Sequence, residues 1–178
     1  AMGDGKPRYL TALGESNVRE GWRGDKRTGG VLLDVESGEV VARGLSMPHS
    51  PRWHNGRLWV LLSGTGELAQ VDVTTGAVRV VAKLPGFTRG LAFVGPYALV
   101  GLSQVRESVF TGLPVTSTAA ERNCGVWVVN TRNGETVGLW RFGGMVQELF
   151  DVAVIPARWP TLVEAGDWSR ADLAGGTI

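Results

Sequence analysis

The sequence predicts an all-β fold, a β-propeller that supplies about three four-stranded blades per chain, or half of a six-bladed ring. One turn occurs three times, as DVESG at residues 34–38, DVTTG at 72–76 and NTRNG at 130–134. Each copy lies between two apolar runs of strand length, and its leading Asp or Asn and closing Gly favour chain reversal. A multi-strand unit repeated every roughly 40 to 50 residues is typical of propeller blades. The 26 glycines among 178 residues also suit a chain with many tight turns.

The predicted strands follow from apolar runs bounded by Gly, Pro and Asn turns, and are labelled A to D from the innermost outwards. The first unit has strand B at residues 7–13, C at 31–34 and D at 40–43. The second has A at 50–54, B at 57–62, C at 67–72 and D at 77–83, with Asn55-Gly56 turning A into B. The third has A at 90–94, B at 97–103, C at 124–130 and D at 136–142. A last inner strand at 148–154 starts a fourth unit, so residues 1–155 form the blades and 156–178 a C-terminal tail.

This order of strands leaves the first and last blades incomplete. Open sheet edges invite pairing with another chain, and propellers usually need at least about four blades. Two completions remain open. Either a second copy of the chain closes a six-bladed ring as a homodimer, or the ring closes with an N-terminal half that precedes this sequence in a longer protein.

Composition excludes several classes of partner. The chain has 18 basic and 17 acidic residues, a formal charge of +1, and no basic stripe, so neither nucleic acid nor an anionic membrane is expected to bind. The single cysteine, Cys124, allows no internal disulfide and favours a reducing compartment. Because no apolar run reaches about 18 residues, the sequence predicts a cytoplasmic protein.

Two long insertions interrupt the repeat between strands B and C, at residues 14–29 and 104–123, where the second unit has only 63–66. Consecutive strands are antiparallel, so these insertions share one face with the D-to-A connections, and the repeated turns lie on the other face. Long loops above a rigid scaffold often carry binding groups. The candidates near the channel mouth on this face are Arg52, Phe87, Thr88, Arg89, Gln147, His49 and Glu148, with Arg106 and Glu107 on the overhanging second insertion and Trp22 in the first.

Each candidate has a functional and a structural interpretation. His49 is either an acid or base, with Glu148 as the second catalytic candidate, or a strap between blades. Arg89 and Arg106 are either clamps for a carboxylate or phosphate or ion-pair partners of Glu107 and Glu148. Whether the protein is an enzyme stays open, because the sequence contains no nucleophile elbow, P-loop, His-Glu-x-x-His or Cys-x-x-Cys motif.

Several segments together resemble a family of bacterial proteins of uncharacterised function that are about twice this length, of which this chain matches the C-terminal half. The segments are residues 48–53, 63–68, 84–93, 101–108, 124–129 and 147–152. That family is in turn distantly similar to six-bladed propellers of the gluconolactonase and strictosidine synthase type, whose inner strands can hold a divalent metal. The resemblance places His49, Arg89 and Glu148 at the equivalent strand starts. Since the first two depart from the metal pattern, no cofactor and no tightly bound metal are predicted.

Two functional hypotheses follow from the sequence. In the first, the rim formed by His49, Arg52, Arg89, Gln147 and Glu148 binds a small molecule or a peptide, with catalysis as an open extension. In the second, the protein is a non-catalytic scaffold whose loop-rich face binds another protein. A channel lined by convergent polar side chains favours the first hypothesis, and a flat apolar face favours the second.

Overall fold

The computed structural model describes residues 1–104, 112–115, 124–143 and 145–155. Arg106, Glu107 and the predicted tail at 156–178 therefore lie outside the described residues. The described chain is all-β, with antiparallel sheets whose strands follow one another in chain order. Its one described 3-10 helix, Gly21–Asp25, lies in the first insertion.

Three of the sheets correspond to the predicted repeat. The first sheet contains β3 (Tyr9–Ala12), β4 (Gly30–Asp34) and β5 (Val40–Leu45). The second sheet contains β6 (Pro48–His54), β7 (Arg57–Leu62), β8 (Glu67–Val71) and β9 (Val78–Lys83). The third sheet contains β10 (Phe87–Val94), β11 (Tyr97–Ser103), β12 (Gly125–Asn130) and β13 (Thr136–Arg141). A short N-terminal hairpin, β1 (Met2–Gly3) with β2 (Lys6–Pro7), was not predicted.

The repeated turn works by the mechanism that its sequence predicts. The leading side chain accepts hydrogen bonds from backbone N–H groups two and three residues later, as Asp72 does from Thr74 and Thr75, both at 2.9 Å. Asp34 makes the same pair of bonds, and Asn130 makes the first of them. The closing glycines have φ of 73°, 73° and 79° at Gly38, Gly76 and Gly134. The turns therefore set the register of β4–β5, β8–β9 and β12–β13.

Two apolar layers hold the three sheets side by side. One layer joins the first and second sheets and includes Leu32, Leu45, Leu58, Val60 and Ala69. The other joins the second and third sheets and includes Trp59, Leu61, Leu68, Leu91 and Val100. Alternate residues of β7 enter opposite layers, which explains why its sequence is apolar without a break. Burial of each such Leu or Val stabilises the fold by about 1.5–3 kcal/mol. Because the second sheet contributes side chains to both layers, it is the centre of the packing.

A third apolar cluster collects the connections at one end of the sheets. Leu113 and Val115 of the second insertion are buried against Met47 and Phe87, and Trp22 of the first insertion packs on the same group. Both insertions therefore lie at the end where β5 leads into β6 and β9 leads into β10, as the antiparallel strand order predicts. This end of the sheets is called the loop face below.

The predicted inner strand at 148–154 is wrong, because residues 147–155 contain no strand. The segment instead lies beside the third sheet. Gln104 N donates to Gln147 O at 2.9 Å, and the Ser103 hydroxyl bonds to both the N–H and the C=O of Leu149, at 2.9 and 3.1 Å. An inner strand needs a neighbour in its own sheet, and none of the described strands occupies that place. Among the described residues, no helix is long and apolar enough to cross a membrane.

Candidate functional site

Two β-bulges shape the loop-face ends of β6 and β10. On β6, His49 pairs with Leu61 and Arg52 with Trp59, so two residues stand opposite one residue of β7. On β10, Thr88 pairs with Leu102 and Leu91 with Val100, which again leaves two residues opposite one of β11. A bulge increases the local twist and redirects the side chains next to it.

Backbone conformation shows that His49 and Arg89 occupy equivalent positions, although the bulge begins after His49 on β6 and at Arg89 on β10. Each is followed directly by a residue with positive φ, 51° at Ser50 and 82° at Gly90. Glycine is required on β10, because a Cβ at Gly90 would lie 2.6 Å from the backbone of Asp151 and Val152. Ser50 contributes its side chain instead, since its hydroxyl accepts a hydrogen bond from Gly90 N at 3.1 Å. A hydrogen bond between neighbouring sheets therefore links the residues that directly follow His49 and Arg89.

Serine straps repeat from one sheet to the next. The hydroxyl of Ser63, after β7, donates to Thr88 O at 2.5 Å, and that of Ser103, at the end of β11, donates to Leu149 O at 3.1 Å. Thr88 and Leu149 are therefore equivalent, so Phe150 stands where Arg89 stands in the preceding unit. The sequence analysis placed Glu148 at the position equivalent to Arg89. The structure moves this assignment by two residues, to Phe150.

These features enclose a cavity of about 80 Å³ at the loop face. Five predicted site residues line it: His49, Phe87, Thr88, Arg89 and Glu148. Four lining residues were missed by the sequence analysis, namely Met47, Ser63, Ser103 and Gln104. The two serines had a readable signal, because both stand where strand B ends, at the same place in the repeat. This group is called the loop-face cavity below.

The polar side chains that line the loop-face cavity differ in charge and in hydrogen bonding. Burial, followed by the positive charge of Arg89, lowers the pKa of His49 from 6.5 to about 4, so this imidazole is neutral at pH 7. The Arg89 guanidinium carbon lies 4.7 Å from the centre of the Phe150 ring. Thr88 is completely buried, and its hydroxyl has no hydrogen-bond partner among the described residues. A buried hydroxyl without a partner is costly, so this threonine of the cavity wall has an unmet capacity for a hydrogen bond.

The other predicted residues lie outside this cavity. Arg52 pairs with Asp151, with Nη2 at 3.1 and 3.2 Å from the two carboxylate oxygens. Both side chains are partly exposed, so the pair contributes little to stability. Gln147 is exposed, and its carbonyl accepts the bond from Gln104 already described.

Trp22 lies in a separate hollow of about 370 Å³ between the first insertion and the first sheet. One wall of the hollow is fixed by an exposed ion pair, in which Arg43 contacts both carboxylate oxygens of Glu15 at 3.0 and 3.1 Å. The Arg23 guanidinium lies 5.1 Å from the Trp22 ring centre. A still larger hollow, of about 500 Å³, lies at the repeated-turn end of the second sheet. Size alone therefore does not select the loop-face cavity, which we favour because it combines a neutral histidine, a guanidinium and an unpartnered hydroxyl.

The described residues contain no group of three or more His, Cys, Asp or Glu side chains placed to hold a metal ion. Cys124 is buried, and its pKa is raised by burial and then by the nearby charge of Glu148. The thiolate is therefore disfavoured, which argues against Cys124 as a nucleophile.

Comparison with known proteins adds a family. A family model described as "Domain of unknown function (DUF4915)" matches residues 1–163. Among solved structures, the chain is similar to the computationally designed Ika8 protein, with 12% sequence identity and a TM-score of 0.45. The match covers 73% of this chain and 35% of the designed chain. No curated protein matches. These findings give no support to the expected likeness to gluconolactonase or strictosidine synthase propellers.

Proposed function

The chain belongs to the DUF4915 family, and from that premise we propose that its sheets are blades of a β-propeller whose loop-face cavity binds a small molecule or a peptide through an anionic group. The observation that carries the binding site is Thr88, a fully buried residue that lines the cavity and whose hydroxyl has no partner among the described residues. An occupant that accepts a hydrogen bond removes this penalty.

Support for the propeller comes from the contacts between neighbouring sheets. The sheets are successive meanders joined by repeated serine straps, with apolar layers between neighbours. Arg52 of β6 pairs with Asp151, although the two residues are 99 positions apart in the chain, and the backbone of Asp151 lies against Gly90 of β10. Such contacts of one segment with two sheets are expected where inner strands gather around a common axis.

The chemistry of the lining favours an oxyanion. Arg89 offers a planar set of N–H donors, Thr88 a hydroxyl donor, and neutral His49 one further donor or acceptor. Glu148 adds one carboxylate to the lining, so an oxyanion must bind through Arg89 and overcome this repulsion. The volume of about 80 Å³ has room for two or three waters, each of which takes about 30 Å³. The cavity is therefore sized for a carboxylate or phosphate head group, and the rest of a larger ligand would extend outward. If a reaction occurs here, proton transfer falls to His49 and Glu148.

A thermal-shift screen of small carboxylates and inorganic phosphate tests the proposal. We expect stabilisation of the wild-type chain, and its loss in His49→Ala and Arg89→Ala variants that keep their fold. If both variants unfold, the two residues are structural straps and the proposed site is wrong. If no anion stabilises the folded wild-type chain, a non-catalytic protein-binding scaffold becomes the better hypothesis.

The assembly that completes the ring is part of the proposal. Leu10 of the first sheet and Trp140 of the third are exposed by 55% and 56%, and by strand alternation both point away from the second sheet. Exposed apolar side chains on both outer sheets favour a partner at each end. We propose that a second copy covers them as a homodimer, with an N-terminal half of a longer protein as the competing partner. The proposed location is the cytoplasm, because one cysteine permits no internal disulfide.

A further inference from the structure

We infer that two copies of this chain join by strand addition, in which residues 149–154 of one copy pair with β3 of the other and become the inner strand of its first sheet. The inference rests on the propeller and the homodimer proposed above. It goes further than they do, because it names the strands that pair and their register. Residues 149–154 are called the joining segment below.

The first sheet lacks the strand that begins each of the other two sheets. In the second and third sheets, β6 and β10 pair with the strand that directly follows them. The corresponding strand of the first sheet is β3, which among the described strands pairs only with β4. Its other side is called the open edge below. A row of backbone N–H and C=O groups at a sheet edge is a template for an added strand.

One end of the open edge is already occupied. The Ala1 amino group donates to Tyr9 O at 2.6 Å, and Ala1 O accepts a bond from Tyr9 N at 3.1 Å. Because the backbone groups of a strand alternate between its two sides, those of Thr11 point to the same side as those of Tyr9. No described residue forms a backbone bond with Thr11 on that side. An added strand therefore has room beside Leu10, Thr11 and Ala12, and it must end before Tyr9.

The joining segment begins where a further inner strand would begin. The Ser103 hydroxyl bonds to Leu149 O after the third sheet's second strand. The Ser63 hydroxyl makes the same contact with Thr88 O, near the start of β10. Leu149 is therefore placed relative to the third sheet as β10 is placed relative to the second. The joining segment has the position of an inner strand without a strand partner among the described residues.

Val152 lies on the face of the third sheet that points away from the second sheet. Val100 points into the layer shared with the second sheet, so the next residue, Gly101, presents the opposite face. A Cβ at Gly101 would lie 3.1 Å from Val152 Cγ2. Leu91, three residues after Thr88, is buried in the same way against the second sheet. The joining segment therefore follows the path of β10, one sheet further on.

The two sheet faces that this addition brings together are both apolar. On the outward face of the third sheet, Tyr97 and Trp140 are 39% and 56% exposed. On the outward face of the first sheet, Leu10 is exposed and pairs in register with Leu33. Within the chain, the first sheet packs on the second and the second on the third through such apolar faces. Contact between the third sheet of one copy and the first sheet of another continues this series.

The partner is a second copy because one chain cannot make this contact with itself. The second and third sheets lie between β3 and the joining segment of the same chain. Each copy offers one open edge and one joining segment, so a two-fold axis pairs both at once. The joining segment also includes Phe150, whose ring lies against Arg89, and it directly follows Glu148. Strand addition therefore also holds one wall of the loop-face cavity in place.

Disulfide cross-linking tests the register of the added strand. The register of β10 on β11 pairs Leu91 with Val100, and the equivalent pair is Val152 of one copy with Ala12 of the other. The Thr11 groups point to the open edge, so the pair at Ala12 is not hydrogen-bonded. Its Cα atoms should lie about 4.5 Å apart, which a disulfide can span.

Chains with Ala12→Cys and chains with Val152→Cys, all in a Cys124→Ala background, are co-expressed and oxidised. We expect a covalent dimer of twice the 19.0 kDa chain mass, and none when either variant is expressed alone. The control replaces Val152→Cys by Ala153→Cys, whose side chain points to the other face of the strand. Cross-linking of the control as strongly as the test pair, or no cross-linking of the test pair, overturns the inference.

Proline substitution measures the contribution of the strand to dimer affinity. Ala153→Pro removes the N–H group that bonds to Thr11, so sedimentation should show a dimer Kd raised by about tenfold or more. The matched control, Ile155→Pro, lies beyond the paired residues, because Ala1 occupies the open edge at Tyr9, and its Kd should be unchanged. A dimer whose Kd is the same in Ala153→Pro overturns the strand addition but keeps the homodimer, whereas a monomeric wild-type chain overturns both. Anion binding at the loop-face cavity is tested separately by the thermal-shift screen.

Discussion

Replacing Thr88 by valine tests the loop-face cavity most sharply, because the two expected effects have opposite signs. Thr88 is fully buried, and its hydroxyl lacks a partner among the described residues. Valine keeps the β-branched shape and replaces only the hydroxyl by a methyl group. The variant should therefore fold more stably than the wild type while binding its anionic ligand less well.

The magnitudes follow from the cost of an unpartnered polar group. A buried hydroxyl without a hydrogen bond costs about 1–3 kcal/mol, and water entering the cavity offsets part of this cost. We therefore expect the free energy of unfolding to rise by about 1 kcal/mol. Losing the hydrogen bond to a ligand should cost about 0.5–1.5 kcal/mol, or about two- to twelve-fold in affinity.

Urea denaturation measures the first effect, with an unchanged m-value as the check that the same surface unfolds. Titration with the best anion from the thermal-shift screen measures the second effect. The matched control is Ser46→Ala, because Ser46 is also buried with an unpartnered hydroxyl but does not line the cavity. Its stability should be unchanged or raised and its affinity unchanged. Destabilisation of Thr88→Val by more than about 1 kcal/mol would refute the reasoning, since it would mean that the hydroxyl has a structural partner.

Three further predictions concern pH, a turn and assembly. The pKa of His49 is lowered from 6.5 to about 4, so between these pH values the unfolded chain binds more protons than the folded chain. The free energy of unfolding should therefore fall by up to about 3 kcal/mol as the pH drops from 6.5 to 4. Urea titrations of His49→Gln should show a smaller fall. Gly134→Ala should destabilise more than Gly38→Ala in thermal unfolding, because both glycines have positive φ but only a Cβ at Gly134 meets a backbone carbonyl, that of Val81; equal losses would contradict this packing. Light scattering should give about 38 kDa, twice the 19.0 kDa chain, whereas a stable monomer would exclude the homodimer.

The sequence predicted the strands of the three main sheets well, because local chemistry determines them. Asp72 and its counterparts carry the turn signal in their own side chains, and the apolar runs on either side supply the alternating burial. The shared face of the two insertions followed from antiparallel strand order alone. Five residues of the loop-face cavity could therefore be named from the sequence.

The errors came from information that does not lie in the local sequence. The segment after Gln147 looks like a strand, but strand formation depends on a neighbour that the described chain does not supply. Phe150 rather than Glu148 is equivalent to Arg89, because the Ser103 hydroxyl bonds to Leu149 O as the Ser63 hydroxyl bonds to Thr88 O, and such contacts across sheets cannot be read from the sequence. The pairing of Arg52 with Asp151 joins distant parts of the chain, and no spacing rule reveals it.

Some features of the candidate sites are defined only by three-dimensional packing. That the Thr88 hydroxyl has no partner depends on every group around it, and sequence reasoning identified only the residue type. Nothing in the sequence indicates that the side chains of Arg57 and Arg79 both donate to Gln70 Oε1, although the three residues lie on neighbouring strands. Their convergence on one oxygen requires the register of three strands at once, which the predicted strand ends did not define closely enough.

The central claim is that the loop-face cavity holds an oxyanion. A crystal structure of the chain, grown with the best anion from the screen, tests it most directly through the density beside Thr88 and Arg89. We predict a bound carboxylate or phosphate that accepts hydrogen bonds from the Thr88 hydroxyl and the Arg89 guanidinium, next to a neutral His49. A cavity without the anion, in which the Thr88 hydroxyl bonds to the protein itself, would contradict the claim.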